Sequence, residues 1–124
     1  MARVLIVDDE PDVLEILSDI IAGFGHDVST ALNGAEGLSI VRMTPPDVIL
    51  LDLVMPVMTG RDALAHLRDE HPEIPVIVVA AEMETALTEQ LSALGAFGYI
   101  TKPFRMEEIS QMLAAALARR SGPA

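Results

Sequence analysis

No cysteine occurs among these 124 residues, so neither a disulfide framework nor a thiolate metal site is possible. Basic residues are scarce: 8 Lys and Arg stand against 19 Asp and Glu, for a net charge of −11. Sequence-independent nucleic-acid binding rests on basic surface neutralising phosphates, so that class is disfavoured. An anionic membrane surface is disfavoured for the same reason. No apolar run is long enough to span a bilayer. Met1-Ala2-Arg3 leads straight into a strand-like run, leaving no room for a signal peptide, and a cytoplasmic protein is the expectation. With 51% apolar residues, the chain suits one compact domain with a core of its own.

What is present is an alternation. Val4-Leu5-Ile6-Val7 runs into Asp8-Asp9-Glu10, and Pro11 suits the first turn of a helix. Val13, Leu17, Ile20, Ile21 and Phe24 then recur at helical spacing until Gly25. Val28 to Leu32 is a weaker strand. Asn33 with Glu36 reads as a helix start, and Pro45-Pro46 must end that helix. Val48 to Asp52 is an apolar run that delivers one carboxylate, reading on to Pro56 and Gly60. Ala63, Leu64 and Leu67 mark a third helix ending near His71-Pro72, and Pro75 to Val79 a fourth strand. Leu87, Leu91 and Leu94 space a fourth helix, Phe97 to Thr101 a fifth strand, and Ile109 to Leu117 a last amphipathic helix. Five strands alternating with five helices imply an α/β fold, a doubly wound parallel sheet with right-handed crossovers. The domain is expected over residues 1–119, with 120–124 a polar tail beginning about Arg119.

In such a sheet ligands bind beyond the carboxyl ends of the strands. Those ends carry Asp8 and Asp9, Asp52, Ala80, and Lys102. Carboxylates gathered at one place repel unless a cation joins them. Oxygen ligands suit a hard divalent ion, Mg²⁺ before Ca²⁺. A carboxylate beside Mg²⁺ and a lysine ammonium is placed to attack a phosphoryl group. His26, His66 and His71 have no metal-ligand spacing and read as surface or loop residues.

Asp8-Asp9, then Asp52-Leu53-Val54-Met55-Pro56 with Gly60, then Lys102-Pro103-Phe104 resemble the receiver domain of two-component response regulators. The resemblance covers essentially the whole chain. It implies a flavodoxin-like strand order 2-1-3-4-5 and a phosphorylation-dependent signalling switch. By position, Asp52 matches the phosphoacceptor and Lys102 the lysine that pairs with the phosphoryl group. Asp9, Asp52 and the backbone carbonyl of Val54 match the Mg²⁺ ligands, with Asp8 acting through water. Tyr99 matches the aromatic switch residue. The implied partners are a histidine kinase or histidine phosphotransfer protein, and a downstream protein target or fused effector domain. A homodimer through the face of the fourth helix, fifth strand and last helix, roughly Thr85 to Leu117, is a further implication. No enzyme activity is expected beyond self-phosphorylation and self-dephosphorylation.

One position departs from the pattern. A receiver's fourth strand ordinarily ends in Ser or Thr; here it ends in Ala80. The missing hydroxyl would have donated a hydrogen bond to a phosphoryl oxygen, worth roughly 1.5–3 kcal/mol. Ala80 also leaves room that Tyr99 can occupy without phosphate, so an inward bias of the tyrosine is expected. The rival reading is a degenerate receiver, an adaptor independent of phosphate. An aspartyl phosphatase of the haloacid-dehalogenase type needs an Asp two residues after the nucleophile, where this chain has Val54. A flavodoxin-type cofactor site would be repelled by Asp8-Asp9-Glu10.

Overall fold

The computed structural model describes residues 2–52, 60–80, 93–101 and 104–121. Five parallel strands form one sheet in the order β2-β1-β3-β4-β5. They are β1 (Arg3–Val7), β2 (Asp27–Ala31), β3 (Val48–Asp52), β4 (Val76–Ala80) and β5 (Gly98–Thr101). Four helices lie among the described residues: α1 (Pro11–Gly23), α2 (Gly34–Met43), α3 (Gly60–Glu70) and α4 (Met106–Ser121). The expected helix carrying Leu87 and Leu91 falls outside the described residues. The doubly wound α/β fold and the 2-1-3-4-5 order are as expected.

Strict alternation along the central strands builds two cores. Leu5, Val7, Ile49, Leu51, Val76 and Val78 face one side of the sheet, against Leu38 and Val41 of α2 and Leu64 and Leu67 of α3. Val4, Ile6, Val48, Leu50, Ile77 and Val79 face the other, against Leu14, Leu17 and Ile21 of α1 and Ile109 and Leu113 of α4. Both faces being covered, β1, β3 and β4 read as continuous apolar runs. The edge strand β2 is mostly exposed, which explains its weak sequence signal.

Local chemistry sets the ends of the elements. The Asn33 side chain accepts a hydrogen bond from the Glu36 amide at 2.8 Å, capping α2. Gly25, at φ 92°, closes the segment after α1. Two expectations shift. Leu14, not singled out by spacing, is fully in the core, while Val13, Ile20 and Phe24 are only partly buried against it. Arg119 and Arg120, expected at the start of a frayed tail, belong to α4. Alanine and arginine are strong helix formers, and cations suit a helix C-terminus.

Helices α2 and α3 are joined on the surface by a forked ion pair. Arg42 Nε and Nη2 each donate to a Glu70 carboxylate oxygen at 2.7 Å. Hydrogen bonding from Arg42 holds the Glu70 carboxyl below its ordinary value of 4.5. The stabilisation is therefore present above that value and fades as pH falls through the lowered one. Urea denaturation of wild type and Glu70→Gln should show a gap in stability above pH 4.5 that shrinks on acidification. A gap that does not change with pH would mean that the pair contributes through packing alone. The effect is small, since both side chains are exposed to solvent.

Candidate functional site

The carboxyl edge of the sheet collects the acidic residues. Asp8 follows β1 directly, its amide still donating to the Ala31 carbonyl at 3.1 Å. It continues the alternation of Val4 and Ile6, and Asp52 continues that of Val48 and Leu50. Val7 pairs with Leu51 in register, so Asp8 and Asp52 sit side by side on the face that packs against α1 and α4. They are the buried charged residues among those described, 1% and 7% exposed.

The chain turns immediately after Asp8. Its Oδ1 accepts from the Glu10 amide at 2.9 Å, an Asx turn that leads into Pro11 at the start of α1. The turn folds Asp9 and Glu10 back beside Asp8. One carboxylate oxygen from each of Asp8, Asp9 and Glu10 lies within 4.8 Å of the others. Asp52 lies outside that mutual distance, on the neighbouring strand end. Glu10 is the addition that structure makes to the expected ligands; the sequence placed it in the acidic run but gave it no role. The donor set is all carboxylate oxygen, which fits a hard divalent cation such as Mg²⁺.

Of the remaining expected residues, Ala80 is the last residue of β4, paired with Thr101. Lys102 and Val54 lie outside the described residues. Tyr99 sits on the edge strand β5 and is 36% exposed. It lines a cavity of about 270 Å³ with Glu108, Gln111 and Met112 of α4. Ile100, not Tyr99, enters the α1/α4 core, and register places Tyr99 opposite Val78 on the edge strand. An amphipathic ring is well served at such a partly exposed place.

A doubly wound sheet with buried carboxylates at the ends of its first and third strands defines a class: a small α/β domain with an acidic pocket at its carboxyl edge. The chain belongs to the response regulator receiver domain family, whose model matches residues 4–114. It is 40% identical over 121 residues to the probable transcriptional regulatory protein TcrX of Mycobacterium tuberculosis, covering 96% of this chain and 50% of TcrX. It is 38% identical over 120 residues to the protein PilH of Pseudomonas aeruginosa, covering 95% of this chain and 99% of PilH. Among solved structures, the Vibrio cholerae chemotaxis protein CheY4 superposes with a TM-score of 0.89 at 32% identity, over 94% of this chain and 99% of CheY4. The chain spans about half the length of TcrX and of the mycobacterial KdpE. Receiver domains are signalling switches rather than classical enzymes, phosphorylation-dependent signalling is their general function, and they bind Mg²⁺ at an acidic pocket.

Proposed function

We propose that this domain accepts a phosphoryl group on Asp52, from a histidine kinase or histidine phosphotransfer protein or from a small phosphodonor. The observation that carries the reading is the placement of buried Asp8 and Asp52 side by side on one face of the sheet, with Asp9 and Glu10 folded against Asp8. A carboxylate oxygen of Asp52 forms a bond to phosphorus while the bond from phosphorus to the donor nitrogen or oxygen breaks. The leaving group keeps the electron pair, and the product is an acyl phosphate. Asp9, Asp52 and the Val54 carbonyl would hold Mg²⁺, with Asp8 acting through water. When bound, Mg²⁺ supplies positive charge against the phosphoryl oxygens. Lys102 pairs with the same oxygens. Hydrolysis of the acyl phosphate by water, an intrinsic activity of the domain, resets the switch.

A cytoplasmic location is part of the same reading. No helix among the described residues is long and apolar enough to cross a membrane. The domain's output passes to a protein target or to a fused effector domain. Both arrangements are consistent with relatives as long as PilH, nearly matched end to end, and as TcrX, matched over half its length. Nucleic acid is not a partner of this domain, whose net charge is −11. Ala80 favours a second reading, an adaptor that binds its partner without phosphate.

Intact mass separates the two. Incubation with Mg²⁺ and acetyl phosphate or phosphoramidate should yield one alkali-labile phosphoryl adduct, lost when EDTA is present. A folded protein that takes up no phosphoryl group from any donor, with Mg²⁺ in excess, is the adaptor. Turnover of many small phosphate esters would instead indicate a phosphatase.

A further inference from the structure

At the opposite, amino edge of the sheet, one side chain gathers two loops, the one that leads into β4 and the one that leads into β5. Arg68, in the last turn of α3, donates from Nη1 to the Pro72 carbonyl at 3.0 Å and from Nη2 to the His71 carbonyl at 3.2 Å. Nη2 also donates to the Ile74 carbonyl. Its stem lies under Gly95, at φ 93°, where an added Cβ would come within 2.5 Å of Arg68 Cδ and 3.0 Å of Cγ. That stem cannot swing aside cheaply, because the guanidinium at its end is held by the carbonyls. Ile74 is buried in the α2/α3-side core, with Leu94 and Ala96 packed against the same cluster. Two residues beyond each contact, the strands begin to pair: the Phe97 amide donates to the Val76 carbonyl at 2.8 Å.

We propose that Arg68 is a positioning residue that holds the starts of β4 and β5 as one body. The two strands that it ties together carry Ala80 and Tyr99. With their starts fixed in register, Ile77 opposite Gly98, rearrangement on phosphorylation is confined to side chains such as Tyr99 and to the carboxyl ends of the strands. The planar fork of arginine matches several carbonyls at once, which a lysine ammonium on a flexible stem does not.

Amide hydrogen exchange resolved by residue tests this on wild type, Arg68→Met and Arg68→Lys. In Arg68→Met, exchange of the Phe97 amide should rise by at least about ten-fold relative to Leu50 in the central strand, since local opening no longer breaks charged hydrogen bonds. Arg68→Lys should fall between, and it carries the comparison if Arg68→Met does not fold. Phe97 and Leu50 accelerating in parallel would show a merely global loss of stability and overturn the proposal, as would no change at either. A second readout, which rests on the phosphoacceptor reading, is Tyr99 fluorescence on adding beryllofluoride with Mg²⁺. The saturating change should be smaller in Arg68→Met than in wild type at an unchanged midpoint; equal amplitudes overturn the positioning role. If wild type itself does not respond, Tyr99 is uncoupled from the acceptor, intact mass decides the phosphoacceptor reading, and the exchange result still decides the role of Arg68.

Discussion

Asp52→Asn should abolish phosphoryl incorporation altogether while leaving the domain folded. The substitution keeps the shape of the side chain and removes its nucleophilic oxygen, because an amide oxygen does not form a stable acyl phosphate. Folding should survive because Asp52 is the last residue of β3, beyond the apolar run Val48 to Leu51 that fills both cores. Thermal denaturation without Mg²⁺ should therefore still show one cooperative transition. Asp9→Asn should behave differently, retaining the acceptor and raising the Mg²⁺ concentration that gives half-maximal phosphorylation. At an intermediate dielectric, one unit charge near 4 Å is worth roughly 4 kcal/mol, so a shift of at least about ten-fold is expected even after solvent screening. Intact mass against Mg²⁺ concentration measures both. An adduct that persists in Asp52→Asn would move the acceptor to Asp8 or Asp9 and overturn the assignment.

The two substitutions also show which parts of the site the sequence could carry. Asp8, Asp9 and Asp52 were legible because they interrupt apolar runs, and the alternation of β1 and β3 puts Asp8 and Asp52 on one face without any tertiary information. Glu10 was not legible as a fourth carboxylate. Its place depends on the turn in which Asp8 accepts from the Glu10 amide, and such a turn leaves no pattern beyond an acidic run. The fold shows the same division. Apolar periodicity found every described element, yet it missed Leu14, because two overlapping stripes on α1 differ only in which meets the sheet. Arg68 was invisible for another reason: it binds main-chain carbonyls, which every residue has, and its neighbour Gly95 reads as a helix stop. The surroundings of Tyr99 were not legible, because they depend on the register of β5 against β4. That register puts Ile100 into the core and leaves the tyrosine partly exposed.

The exposed Tyr99 makes the consequence of Ala80 measurable. Ala80→Thr should couple the ring to phosphorylation more tightly than wild type by about ten- to a hundred-fold. The restored hydroxyl would donate to a phosphoryl oxygen, and a hydrogen bond to a charged group contributes roughly 1.5–3 kcal/mol. That energy acts only in the phosphorylated form, so it shifts the equilibrium between outward and inward tyrosine only there. Without phosphate the two proteins should look alike, with Tyr99 on the surface as it is now. The chain has one tyrosine and no tryptophan, so intrinsic fluorescence reports this ring alone. Titrating beryllofluoride in the presence of Mg²⁺ should give a larger quenching-protected fraction, measured with acrylamide, in Ala80→Thr than in wild type. Equal protection in both proteins at saturation would mean that the hydroxyl has no part in moving Tyr99. The output would then have to travel by a route that does not bury the ring. Full protection in wild type would show the opposite, that Ala80 costs the switch nothing. A partial response in wild type, raised to near completion in Ala80→Thr, is the result that the loss of one charge-assisted hydrogen bond predicts.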